Sequence, residues 1–172
     1  GNPNLPDQLS TVVRLLKANP LDRRVVIQMW DAVSDLGQQR NDIPCNLMAL
    51  PRIRYVRGAP GVGSRTHPVL DLTVFNRSND IVWGMFGANV CQFSMLLEYL
   101  AGRVGVGVGK YIQIANNAHL YKSHCERYQE DAGAPIVYIP DPEPIGNNWD
   151  RWDGDLAAFM VWVDHGALEG KL

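Results

Sequence analysis

Residues 70–84 read LDLTVFNRSNDIVWG; GANV follows at 87–90 and NNAHLY at 116–121. This stretch decides how the chain is laid out, because it joins a strand, a polar cluster and a helix within a short span. Residues 69–76 have the β-branched and aromatic content of a strand. Asn76-Arg77-Ser78-Asn79-Asp80 then interrupts it. Read alone, such a segment is a polar turn held by side-chain to backbone hydrogen bonds. Two features point further. Apolar Ile81-Val82-Trp83 follows at once, so the polar cluster is expected to lie against a core. Arg77 also stands between amide and hydroxyl side chains, a combination suited to an oxyanion such as phosphate.

Downstream, residues 89–101 read as the strongest helix. Val90, Phe93, Leu97 and Leu100 share one face, and Met95, Leu96 and Tyr99 widen it, the pattern of a buried helix. Asn89 stands where an N-cap is expected; its amide also offers the donor and acceptor that match the N3–H and O4 edge of uracil. GRVGVGVGK at 102–110 is not a phosphate loop. Val104 occupies the first glycine position, Tyr111 stands where Ser or Thr should follow the lysine, and Lys110 fills the last glycine position of the dinucleotide pattern. It reads as a helix end, a turn and the entry to a strand at 108–114. On a strand, His119 and Tyr121 would share a face, and their plain reading is a partly buried hydrogen-bonded pair. His119 and His124 lack metal spacing, and no metal site is expected.

Upstream, residues 7–19 form a helix with Leu9, Val12, Val13 and Leu16 in one stripe, capped by Asp7 and stopped by Pro20. Arg23-Arg24 adjoin a short β-branched run at 25–30, a buried strand. Their plain reading is a solvated strand start, although neighbours on a strand face opposite ways and can serve two sites. Residues 34–42 are turn-like. Residues 43–50 are a second apolar run holding Cys45 near its start. RGAPGVGSRTHP at 57–68 is a loop, and 43–56 with 69–76 make a long-looped hairpin. Residues 135–155 look irregular, and 157–163 read equally as helix or strand. The mixture implies one α+β domain over 1–172, with a mixed or largely antiparallel sheet backed by a long buried helix.

Composition excludes some functions. The 172 residues suit one domain with a real core, hydrophobic residues are 46%, and the net charge of −2 offers no basic field for nucleic acid. No apolar run approaches a membrane span, and GNPNLPDQ does not read as a signal peptide. Three cysteines cannot all pair within one chain and fit reduced thiols in a cytosol. Cys45, by itself, is a small buried hydrophobe. Reactivity would require cationic or N–H groups nearby, and Arg23, Arg24 and Arg77 are the candidates.

In this order, over about 7–124, these pieces resemble the thymidylate synthase family, which includes folate-dependent deoxyuridylate and deoxycytidylate hydroxymethylases. The resemblance implies a thymidylate-synthase-like fold and a homodimer. DRRVV resembles the paired-arginine strand, so Arg23 and Arg24 would reach the partner's nucleotide phosphate. Pro44-Cys45 resembles the nucleophile motif. Arg77-Ser78 with Asp80 resembles the segment that binds phosphate and closes the site. Asn89, allowing one extra residue after Gly84, matches the pyrimidine-reading asparagine, and His119 and Tyr121 match the residues that hold the sugar hydroxyl.

The chemistry so implied starts with Cys45 thiolate adding to C6 of a pyrimidine monophosphate, most simply dUMP. C5 then attacks the methylene carbon of 5,10-methylenetetrahydrofolate. Hydride from the folate would give a methyl product, and water a hydroxymethyl product. Asn46 stands where the synthases usually have His, and Asn117 where they have an acidic residue. Asn46 and a C-terminus, GALEGKL, unlike the synthases' tail favour hydroxymethylation, and the style of NRSND and GANV resembles bacteriophage members, acting in a host cytoplasm. Relative to the family the chain is expected to be N-terminally short, without its catalytic glutamate. That shortness motivates an alternative, a catalytically idle nucleotide-binding homologue. No nucleic acid or membrane partner is expected.

Overall fold

In the computed structural model, residues 7–37, 43–57 and 66–130 are described. Asp7 caps the first helix, accepting hydrogen bonds from Leu9 and Ser10 N–H. This helix, α1 (Gln8–Ala18), buries the expected stripe of Val12, Val13 and Leu16. The following run is strand only at β1 (Ile27–Gln28), shorter than the expected 25–30, although Val25 and Ile27 are buried. The turn expected from residue 34 begins instead as one helical turn, α2 (Ala32–Asp35), which Asp31 caps through Val33 N–H.

Two long strands form the hairpin. β2 (Asn46–Arg57) pairs antiparallel with β3 (Thr66–Asn76), Ile53 opposite Leu70 and Leu50 opposite Thr73. Alternation on β3 sends Leu70, Leu72 and Val74 into full burial. Residues 77–80 are not a free turn. β4 (Asn79–Asp80) is a strand with Asn79 buried. A wide π-helical segment, Ile81–Ala88, follows and is broken at Gly87. It runs into α3 (Asn89–Val104), which ends at Gly105 with φ 88°. The expected end at 101 is passed by three residues. α3 buries Phe93, Leu97, Leu100 and Ala101. The widened stripe is not all covered, because Met95 stays exposed; the helix is buried on one side only.

β5 (Gly107–Ala115) lies parallel to β3, with Thr73 opposite Ile112. The sheet order is β1-β2-β3-β5. β6 (Ala118–His119) pairs parallel with β4 in a second, two-stranded sheet. α4 (Lys122–Glu130) closes the described chain and was not foreseen in the sequence. The expected readings of 135–155 and 157–163, and most of the loop at 57–68, lie outside the described residues, which all fall within one compact unit, 1–139.

The core sits between one face of the four-stranded sheet and α1 with α3. Each fully buried leucine there contributes on the order of 1.5–3 kcal/mol. Tyr111 joins this layer, its ring against Phe93. Burial pushes its phenol up to about 12, and its hydroxyl has no partner. The opposite face is open. Ile112 and Ile114 are 41% and 45% exposed, and Arg54 pairs with Asp71 across β2 and β3. Burial raises the Asp71 carboxyl, but hydrogen bonds from Arg54 and Lys110 N–H outweigh it and hold the group below its usual range.

Candidate active site

The ends of β2 and β3 bring two distant sequence motifs together. Asn46 pairs with Asn76, and Leu47 sits at a register shift between the strands. Cys45, half-buried, lies one residue before β2. Arg77, one residue past β3, clasps the backbone just ahead of the bulge. Its N–H donates to Cys45 O at 2.9 Å, its Nε to Pro44 O at 2.9 Å and its Nη2 to Ile43 O at 2.8 Å. The guanidinium lies over the Trp30 ring, 5.6 Å from its centroid. Among the described residues no carboxylate pairs with Arg77. The guanidinium bonds go to the neutral oxygens of Pro44 and Ile43, so among the described residues its charge is not neutralised. Such a charge attracts an oxyanion.

Ser78 Oγ lies 3.3 Å from His119 Nδ1, because the β4–β6 ladder sets Asp80 opposite His119. His119 and Tyr121 meet ring edge to ring face at 5.1 Å, not as the expected hydrogen-bonded pair. Asp80 Oδ1 accepts from Trp83 N–H at 2.6 Å and caps the wide segment, while Oδ2 is buried without a partner. Asn46 Nδ2 donates to Asn76 Oδ1 at 2.6 Å, and Asn76 Nδ2 is buried without a partner. An unsatisfied buried donor and acceptor each cost roughly 1–3 kcal/mol, so both invite a ligand.

Asn89 is not an N-cap. Its backbone is already helical, at φ −65° and ψ −42°, because the chain has been coiling since Ile81. Its side chain instead donates to Asn79 Oδ1 at 3.0 Å. Arg23 and Arg24 are not brought to Cys45. Both are exposed; Arg24 is held by Asp22 at 2.7 Å, and Arg23 lines a groove of about 530 Å³ with Leu50 and Arg52. Asp22, hydrogen-bonded by Arg24, is lowered to about 2.

Four residues given no individual role in the sequence reading take part. They are Trp30 under Arg77, Asn76, Asn79 and Gln113, which bonds Asn79 and Met85 O. Gln113 had a signal: it faces inward on β5, in register with buried Val74, where a polar residue needs a partner. Among the described residues no group of three or more His, Cys, Asp or Glu is placed to hold a metal ion. No helix there is long and apolar enough to cross a membrane.

The family model described as thymidylate synthase matches residues 3–136. The chain belongs to the thymidylate synthase family. It is 47% identical to a deoxyuridylate hydroxymethyltransferase of Pseudomonas phage M6, covering 92% of this chain and 46% of that protein. It is 40% identical to the deoxyuridylate hydroxymethyltransferase of Bacillus phage SP01, over 76% of this chain and 30% of the relative. A thymidylate synthase of Rhizobium rhizogenes is 30% identical, over 72% and 38%. Among solved structures, the thermostable thymidylate synthase A of Bacillus subtilis aligns with TM-score 0.63 at 23% identity, covering 87% of this chain and 49% of that one; this likeness concerns the fold. The α+β reading thus holds for this family member, which spans half or less of the length of these relatives.

Proposed function

We propose that this chain carries the pyrimidine-nucleotide side of a folate-dependent C5 one-carbon transfer to dUMP, giving 5-hydroxymethyl-dUMP. The observation that carries the reading is the clasp of Arg77 on Ile43, Pro44 and Cys45. It holds a cation, paired with no carboxylate among the described residues, against the backbone of Cys45. Two phage deoxyuridylate hydroxymethyltransferases, at 47% and 40% identity against 30% for a synthase, support the hydroxymethyl branch. So does Asn46, whose amide is tied to Asn76.

In this reading Cys45 Sγ, as thiolate, forms a bond to C6 of the uracil ring. The C5–C6 double bond opens, and its electron pair moves through C5 toward O4, leaving C5 a carbon nucleophile. Arg77 and Ser78 hold the phosphate, Asn89 reads the base edge, and His119 with Tyr121 holds the sugar hydroxyl. Together they fix the ring over the sulfur. Asp80 fits the folate. Its buried Oδ2 lacks a partner, and exposed Trp83 and Phe86 follow it, offering an acceptor and aromatic surface to a flat heteroaromatic group with N–H donors. 5,10-Methylenetetrahydrofolate bound there supplies the one-carbon unit.

The exposed face of the sheet, with Val108, Ile112 and Ile114, supports a homodimer formed across it. Arg23 and Arg24 would then reach a partner's phosphate, which requires Arg24 to leave Asp22. A cytoplasmic setting, within a single-domain chain, suits three free thiols. The idle alternative is not favoured, because the relatives of this chain are named as hydroxymethyltransferases and synthases.

The test is release of tritium from C5-labelled dUMP with methylenetetrahydrofolate, and the mass of the nucleotide formed. Release lost in Cys45→Ser and a hydroxymethyl mass gain are expected. No release with nucleotide binding intact would establish the idle relative instead, and a methyl gain would move the chain to the synthase branch. Sedimentation as a monomer at micromolar concentration would remove the dimer.

A further inference from the structure

We propose that Asn79 and Gln113 set the base specificity of the site by fixing which way the Asn89 amide faces. This deepens the reading above and rests on Asn89 being the base-facing residue. Three side-chain amides form one directed chain. Asn89 Nδ2 donates to Asn79 Oδ1 at 3.0 Å, Asn79 Nδ2 donates to Gln113 Oε1 at 2.9 Å, and Gln113 Nε2 donates to Met85 O at 2.9 Å. An amide can ordinarily be turned over, exchanging donor for acceptor. A backbone carbonyl cannot, because it only accepts. Met85 O therefore dictates that Gln113 presents its NH2, which leaves Gln113 Oε1 for Asn79 Nδ2. Asn79 Oδ1 is left in turn for Asn89 Nδ2. Turning any one amide over sets two oxygens against each other in a buried place, since Asn79 is 2% exposed.

With one Nδ2 hydrogen committed to Asn79, Asn89 keeps its Oδ1 and its second Nδ2 hydrogen for a ligand. That pair accepts from a ring N–H and donates to a carbonyl, the N3–H and O4 of uracil. Cytosine presents an acceptor at N3 and an amino group at C4 and needs the opposite orientation. The chain of amides would thus reject dCMP without touching it. Gly84 makes the chain possible. A Cβ there would stand 1.9 Å from Asn79 Oδ1 and 3.1 Å from Asn89 Nδ2, so the two amides meet over a bare backbone.

The experiment titrates the full 172-residue chain with dUMP and with dCMP by calorimetry, and reads the ratio of the two affinities. Wild type should prefer dUMP. Gln113→Leu removes the anchor and Asn79→Leu removes the link. Each should shrink the preference about tenfold or more, because Asn89 becomes able to turn over. A merely structural role would weaken both nucleotides together and leave the ratio unmoved; that result in both leucine variants overturns the proposal. A wild type that binds neither nucleotide, or both alike, sinks the base-facing reading of Asn89 and the proposal with it. Should the leucine variants fail to fold, the nitrogen-15 spectrum of ligand-free wild type decides. Slow solvent exchange of the Asn89 and Gln113 side-chain amide protons supports the chain, and exchange as fast as for exposed amides overturns it.

Discussion

Arg77 and Arg24 are the same residue type under opposite electrostatic conditions. Arg24 gives its guanidinium to Asp22 through Nε at 3.0 Å and Nη2 at 2.7 Å, and the two charges cancel. Arg77 makes as many side-chain hydrogen bonds, but to the carbonyls of Ile43 and Pro44. Its geometry is fixed and its charge is left over. A hydrogen-bonded cation is not necessarily a neutralised one, and only the second kind of arginine is ready for an anion in the conformation seen. The doubled arginine was conspicuous in the sequence, yet the single one at 77 stands at Cys45.

The contrast can be broken most directly by Arg77→Ala. Affinity for dUMP should fall roughly 100-fold, since several charge-assisted bonds go at once, while deoxyuridine, lacking phosphate, should lose far less. The same change at Arg24 in the isolated protomer should cost little; equal losses in calorimetry would erase the distinction. Arg77→Lys sharpens it. An ammonium keeps the charge but cannot span two carbonyls in a plane, so about tenfold weaker dUMP binding is expected, together with slower alkylation of Cys45. Trp30→Leu removes the ring beneath the guanidinium, a contact worth about 0.5–1 kcal/mol at a part-exposed site. It should weaken dUMP binding no more than about fivefold in the same titration.

The smallest effect belongs to the paired arginine. Asp22 falls from 3.8 to about 2, a folded-state value below the unfolded one. Whatever the pair contributes is therefore complete above pH 4 and is lost as pH falls through about 2. Asp22→Asn should flatten that acid-side dependence in a melting-temperature profile and change the melting point at neutral pH by no more than a degree or two, as exposed pairs do. If the dimer reading holds, it should also strengthen dUMP binding slightly by releasing Arg24. A large loss of neutral-pH stability would mean the pair is structural.

The two arginines also show where sequence reading succeeds. The α1 stripe and the hairpin of β2 with β3 were legible because periodicity reports burial directly. The candidate site stood out in its motifs, since Cys45, Arg77, Ser78, His119 and Asn89 are residue types able to carry chemistry. What escaped notice was orientation. Asn89 looked like a helix cap because a helix pattern began there, and nothing in the pattern reveals coiling from Ile81. Asn79 and Gln113, 34 residues apart, have no shared signature; one lies on β4 and the other on β5, and only the folded chain brings them into contact.

The wide segment Ile81–Ala88 bears on how the chain accommodates its length. Gly87 sits over Val82 O, where a Cβ would be 2.5 Å away, the mark of a turn carrying one residue more than an ordinary one. The resemblance to the family leaves one residue surplus after Gly84, and a swollen turn is how a helix stores such a surplus without moving its ends. Removing one residue at Gly87 would tighten this turn toward an ordinary helical one.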